Sequence, residues 1–271
     1  MGATLNNHQI IKLELILKKL NAVLIRGLSR DSRHWLDFPK VMKKNNIFNE
    51  LIFLDLPGFR TEWNESSPFN VEEITNFVRS KWLKEKKKEQ GYIIIGMSLG
   101  GMVAINWASR FPEDIAGVVT MNTSLPEISP KYKRVTPTGF IELMKMFSAE
   151  DFGVREELIL ALTSNRAESV DKYLKLFTRY QLEMTADKKD IIKQVLAARN
   201  MKIYDELIPS LLCLTSKGDR MVDCECSKDI AEKYNGVLHI HPDAGHDLTM
   251  DDPVWVVEEI EKWLRLSKII D

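Results

Sequence analysis

The sequence predicts an α/β fold: a mostly parallel central sheet covered by helices on both faces, with a helical cap inserted into it. Three observations carry that prediction. Short β-branched apolar runs alternate with longer segments of helical period. The runs show little polar alternation, the mark of parallel strands buried on both faces. One long stretch contains no such run and reads as helices throughout, so it interrupts the alternation.

In chain order, Ile10, Leu13, Leu17 and Leu20 space out a short amphipathic helix, although the "LELIL" within it also alternates as a strand would. Buried strands are expected at "AVLIR" (22–26), "ELIFLDL" (50–56), "YIIIGM" (92–97), "IAGVVTM" (115–121), "LLCLTS" (211–216) and "VLHIH" (237–241). Helices are expected over 71–88, 99–111, 225–234 and 253–267, the last opened by Asp252-Pro253 with proline in the first turn. The run "KEKKKEQG" (84–91) reads as a solvated helix end, its cations favoured by the helix dipole and Gly91 stopping the helix. Strand–helix–strand repetition implies right-handed crossovers. Residues 1–122 and 206–271 are therefore expected to form the core. Residues 123–205, with proline-rich loops first and helical periodicity afterwards, are expected to form the cap.

The chain has 271 residues, 44% hydrophobic and 28% charged, with a formal net charge of −1. This is the composition of a globular protein, with no general attraction to nucleic acid or to an anionic membrane surface. No run approaches the roughly 20 apolar residues of a membrane span, and the charged N-terminal segment lacks a signal-peptide core. Cys213, Cys224 and Cys226 are too few and odd in number for a disulfide framework. A cytoplasmic protein is the expectation. Cys-x-Cys lacks a histidine partner at zinc-finger spacing, so no metal is expected.

The chemistry centres on "IIIGMSLGGMV" (93–103), where Gly96-Met97-Ser98-Leu99-Gly100 fits G-x-S-x-G between a strand and a helix. In that setting the serine occupies a sharp turn, and glycines flank it because side chains there would clash with the neighbouring strand or helix. The plainer reading is a serine that only caps the helix. A nucleophilic serine needs a base and an orienting acid, and in open α/β sheets such groups gather beyond the carboxyl ends of the strands. Asp219 follows "LLCLTS" and His246 follows "VLHIH", in the order Ser, Asp, His. Asp223 is a rival for the acid. Asp247 adjoins the histidine, but chain neighbours seldom face each other. His239 and His241 alternate on a strand as packing or edge residues, and His8 and His34 lack a well-placed acid.

With these residues in view the chain resembles the α/β-hydrolase superfamily from about residue 21 onward. "RGLSRDSRHW" (26–35) is similar to its oxyanion loop and "LDLPGFR" (54–60) to its Asp-x-Pro-Gly loop. "GMSLGG" (96–101) resembles the nucleophile elbow, "KGDRMV" (217–222) the acid loop and "DAGHDLTMDDP" (243–253) the histidine loop. The spacing also resembles that of carboxylesterases acting on pimeloyl thioester carriers. The resemblance implies a catalytic Ser98, Asp219 and His246, with the backbone amides of Leu28 and Leu99 as oxyanion donors and no cofactor. Where the family usually has His-Gly, this chain has Arg26-Gly27. Arg26 is expected either to pair with an internal carboxylate or to recognise an acidic substrate group.

Phe140, Met144, Met146 and Phe147 are candidates for an acyl pocket, against the alternative of ordinary helix packing. Lys131, Lys133 and Arg134 either contact an acidic acyl carrier or serve solubility alone. The expected function is hydrolysis of a carboxylic ester or thioester of small to medium acyl size. The same scaffold supports lyase or C–C bond hydrolase chemistry, and a non-catalytic interaction module is a further alternative.

Overall fold

The computed structural model describes residues 20–87, 90–183, 187–204 and 208–270. The expected N-terminal helix and the 205/206 boundary lie outside the described residues. Among the described residues six strands form one parallel sheet: β1 (Leu20–Ile25), β2 (Phe48–Leu54), β3 (Tyr92–Met97), β4 (Gly117–Met121), β5 (Leu211–Ser216) and β6 (Val237–His241). Their order is β2-β1-β3-β4-β5-β6.

The strands are apolar without alternation because each face has its own helical layer. Val23, Ile25, Ile94 and Val118 point to one side, where α2 (Val71–Glu85), α3 (Leu99–Arg110) and α9 (Glu225–Tyr234) pack. Ala22, Leu24, Ile93 and Val119 point to the other, against α1 (Phe38–Lys44) and α10 (Pro253–Leu266). Strand period two thus delivers one chain to two cores. The edges depart from the expectation of full burial. Val237 is 38% and Ile240 41% exposed on β6, since an outermost strand has a neighbour on one side only. Helix α2 also stops earlier than expected, at Glu85. Lys86 is extended (ψ 135°), and its ammonium sits 4.7 Å from the centre of the Trp82 ring, so Gly91 is not the stop.

Between β4 and β5 lies the helical insertion: α4 (Lys131–Arg134), α5 (Pro137–Ser148), α6 (Phe152–Thr163), α7 (Ala167–Glu183) and α8 (Lys188–Arg199). Thr136 and Asp151 cap α5 and α6 by accepting the Gly139 and Val154 amides, each at 2.9 Å. Buried polar contacts hold the insertion to the core. Arg30 meets Glu156 of α6 at 2.8 Å, Asp190 of α8 accepts the Ser67 amide at 2.9 Å, and Gln194 donates to the Pro57 carbonyl at 3.1 Å. No described helix is long and apolar enough to cross a membrane.

Candidate active site

The site forms where the strand order reverses. From β1 the chain crosses to β2 on one side, and from β3 to β4 on the other, leaving a crevice beyond the carboxyl ends of two adjacent strands. Ile25 lies beside Gly96 in the register, so the loops that follow β1 and β3 meet there. The meeting is close. A Cβ on Gly27 would stand 3.0 Å from the Ser98 Cβ, one on Gly96 would collide with the Gly100 carbonyl, and one on Gly100 with the Ile25 carbonyl. Glycine is therefore required sterically at Gly96 and Gly100, as the G-x-S-x-G pattern anticipates, and Gly27 leaves little room for a side chain.

Ser98 sits at φ 52° and ψ −117°, outside the regions where non-glycine residues rest, a geometry that costs about 1–3 kcal/mol and persists only under external restraint. The restraint is visible. Its amide donates to the Met121 carbonyl at 2.8 Å, and its carbonyl accepts from the Gly101 amide at 3.0 Å and the Thr123 hydroxyl at 3.2 Å. Its side chain makes no capping bond to α3, so the plainer reading of a helix cap does not describe it. The hydroxyl opens instead onto a cavity of about 650 Å³ whose wall also carries Leu28, Leu99 and His246. The Leu99 amide opens α3, and no described residue accepts it or the Leu28 amide.

The histidine loop and the acid loop meet at the cavity that this serine also lines. Nδ1 of His246 lies 2.7 Å from Oδ2 of Asp219, both side chains being almost wholly buried. The other oxygen of Asp219 accepts the Met221 and Val222 amides at 2.8 and 3.0 Å, so both oxygens of the carboxylate are engaged. The rival Asp223 accepts the Glu225 amide at 2.9 Å at the start of α9 and does not touch the histidine.

Arg26 is committed internally. Its guanidinium reaches Asp247 at 2.5 Å and the Thr249 hydroxyl at 3.2 Å, with the Trp35 ring 4.9 Å away. Of its two expected partners, the internal carboxylate is the one it holds. Burial alone would raise the Asp247 carboxyl, but Arg26 and the Thr249 hydroxyl outweigh burial and hold it below the usual carboxylate range. His34 does have an acid neighbour: Asp31 lies 3.3 Å from its Nδ1. Yet its ring is buried against Phe177 and Tyr180 of α7, remote in role from a reacting hydroxyl, and burial pushes its pKa down.

The acyl-pocket candidates separate. Phe140 lines the cavity. Met144 stays outside it at 51% exposure, and Phe147 packs against the core beneath. The candidate Met146 lines it as well, and helix geometry adds one residue not foreseen: residues three apart share a stripe, so Leu143 joins Phe140 and Met146 on the cavity wall. Two asparagines escaped the sequence reading altogether. Asn122, fully buried at the end of β4, donates to the His246 carbonyl at 2.7 Å and accepts from the Ser216 amide at 3.1 Å, tying the histidine loop to β5. Asn165, between α6 and α7, donates to the Gly218 and Asp243 carbonyls at 2.8 and 2.9 Å and so bridges the acid and histidine loops. A polar residue ending the apolar run "AGVVTMN" was a faint signal for the first; nothing marked the second.

A parallel sheet with a helical insertion and a strained serine after its third strand defines a hydrolase architecture. The chain belongs to the alpha/beta hydrolase family, whose model matches residues 22–259. Over 103 residues (38% of this chain) it is 31% identical to the biotin biosynthesis bifunctional protein BioHC of Teredinibacter turnerae, of which it covers only 17%. It is 24% identical over 87% of its length to the monoacylglycerol lipase ABHD6 of Bos taurus, covering 72% of that protein. Among solved structures it superposes on the esterase RhEst1 from Rhodococcus sp. ECU1013 with a TM-score of 0.69 at 18% identity, over 91% of this chain and 90% of that one.

Proposed function

We propose that the protein is a serine hydrolase of carboxylic esters or thioesters, with Ser98 as nucleophile, His246 as base and Asp219 as the residue that orients and steadies the imidazole. The observation that carries this reading is the 2.7 Å His246–Asp219 hydrogen bond on the wall of the cavity onto which Ser98 opens. Supporting it are the relatives, which include a protein named a monoacylglycerol lipase and one named an esterase.

The chemistry follows from charge. A serine hydroxyl is too weak an acid to attack a carbonyl unaided, so His246 takes its proton as Oγ bonds to the acyl carbon. Asp219 holds the proton on Nδ1, leaving Nε2 free to act, and stabilises the imidazolium. The Leu28 and Leu99 amides receive the tetrahedral oxyanion, each worth about 3 kcal/mol of barrier. The intermediate collapses to an acyl-serine as the alcohol or thiol leaves with the proton from His246. Water then gives a proton to His246, adds to the acyl carbon, and Ser98 is restored as the acid departs.

The apolar wall formed by Phe140, Leu143 and Met146 suits a small to medium acyl group, free or presented by an acyl carrier. A cytoplasmic setting belongs to the same reading, supported by three unpaired cysteines. A fluorophosphonate probe should label Ser98, located by mass mapping of the modified peptide, and short-chain nitrophenyl esters should turn over. Ser98→Ala should lose both with its circular dichroism intact. Labelling elsewhere, or persistent turnover in that variant, would refute the assignment.

A further inference from the structure

Five cations and two carboxylates line the cavity: Arg26, Arg30, Lys131, Arg134 and Arg199 against Glu142 and Asp247. Internal pairing accounts for four of these seven groups. Arg26 holds Asp247, Arg30 holds Glu156 behind the wall, and Glu142 is met by Lys145 at 2.8 Å. Lys131, Arg134 and Arg199 remain with no carboxylate partner among the described residues, and Glu142 and Asp247 are the only described acids on the cavity wall.

Arg134 is the telling member. It is partly buried, its Nε is sealed from solvent without a hydrogen-bond partner, and its one bond goes to the Ala198 carbonyl at 2.8 Å. Desolvation lowers its pKa, the opposite of what a carboxylate partner would do. The Cys226 thiol, which acts on it electrostatically, supplies no counter-charge because burial pushes that thiol up to about 11. A sealed, unused donor on a half-buried guanidinium is a cost that an anion reaching it would relieve. Lys131 stands one turn earlier on α4, and Arg199 follows the residue to which Arg134 bonds, so one exposed cation adjoins the half-buried one along the chain and another adjoins its hydrogen-bond partner. The remaining wall nearby is apolar, from Tyr132, Val135, Leu162 and Val195.

We infer that Arg134, with Lys131 and Arg199, receives an anionic group of the substrate, a carboxylate or phosphate joined to the reacting ester through an apolar chain. This rests on the ester-hydrolase reading and names its substrate class. Arg134 is a binding residue here, distinct from Arg26, whose charge is consumed by Asp247.

The test uses the full chain and length-matched esters. One arm places the anion on the acyl side, comparing methyl half-esters of linear dicarboxylic acids with methyl esters of the matching monocarboxylic acids. The other places it on the leaving group, comparing hexanoyl esters of hydroxy acids with those of plain alcohols. In at least one arm the charged ester should have the higher kcat/KM, by about tenfold, and rising salt should erode the advantage. In Arg134→Gln the ratio should collapse toward unity. Hexyl phosphate should inhibit wild-type hydrolysis of the neutral ester at concentrations where hexanol does not, a measurement that needs no variant. Equal efficiency on charged and neutral esters, with no inhibition by hexyl phosphate, overturns the inference and leaves the ester-hydrolase reading standing. So does an equal fall on both substrates in Arg134→Gln, which marks a purely structural arginine. If wild-type protein hydrolyses none of the esters, that reading falls and the inference with it.

Discussion

The two walls of the cavity are built on different principles. On the sheet side, backbone does the positioning: Ser98 is held by bonds from its own peptide to β4 and α3, and Asp219 by two amides of its own loop. On the insertion side, side chains at helical spacing make the wall, and Phe140, Leu143 and Met146 line it because they share a stripe of α5. The difference teaches where tolerance lies. Backbone-defined geometry leaves no freedom for substitution, whereas an apolar stripe keeps its character through many exchanges of similar volume. On the proposed serine-hydrolase reading, the reaction belongs to the first wall and the choice of substrate to the second.

The sharpest test of that contrast compares two aspartates four residues apart. Asp219→Asn should lower kcat on a nitrophenyl ester by about 10,000-fold, since the amide favours the wrong imidazole tautomer. Asp223→Asn, altering only the start of α9, should stay within about twofold. Asn122→Ala comes next. It strips buried groups of four hydrogen bonds, so a loss of about 3 kcal/mol in urea unfolding is expected. A fall in kcat should accompany it as the histidine loop loosens. A variant that lost stability but kept kcat would separate the two walls less cleanly than the geometry implies.

On the insertion side, Phe140→Ala should raise KM for a medium-chain ester by several fold, worth about 1 kcal/mol, while Met144→Ala leaves it unchanged. Equal effects would mean that the helix presents another face to substrate. The smallest effect concerns the seam between core and insertion, where His34 packs under α7. Burial depresses its pKa below the ordinary 6.5, so the unfolded chain binds the extra proton first. Stability is therefore retained above pH 6.5 and lost as pH falls through that value. His34→Asn should flatten the decline in unfolding free energy, measured by urea denaturation, between pH 7 and pH 5.5, by up to about 1 kcal/mol.

Much of this was legible beforehand because it depends on local rules. Apolar runs without alternation could only be doubly covered strands, and glycines around Ser98 could only mean close backbone approach. The partner of Arg26 was open between two readings. Nothing local says that residue 247 would lie against residue 26, because the loops carrying them are brought together by strands distant in sequence. For the same reason Asn165 was invisible, since its role depends on two loops neither of which is near it in the chain. Met144 and Phe147 failed as pocket residues because periodicity identifies stripes without saying which stripe faces inward.

The order of strands and helices, the strained turn at Ser98 and the loops bearing Asp219 and His246 were written in residue type and spacing alone, since steric exclusion and apolar period act over a few residues. Which carboxylate satisfies which arginine, and which arginine is left without one, was decided only in three dimensions. Charge pairing is a property of distance through space, and folding sets that distance.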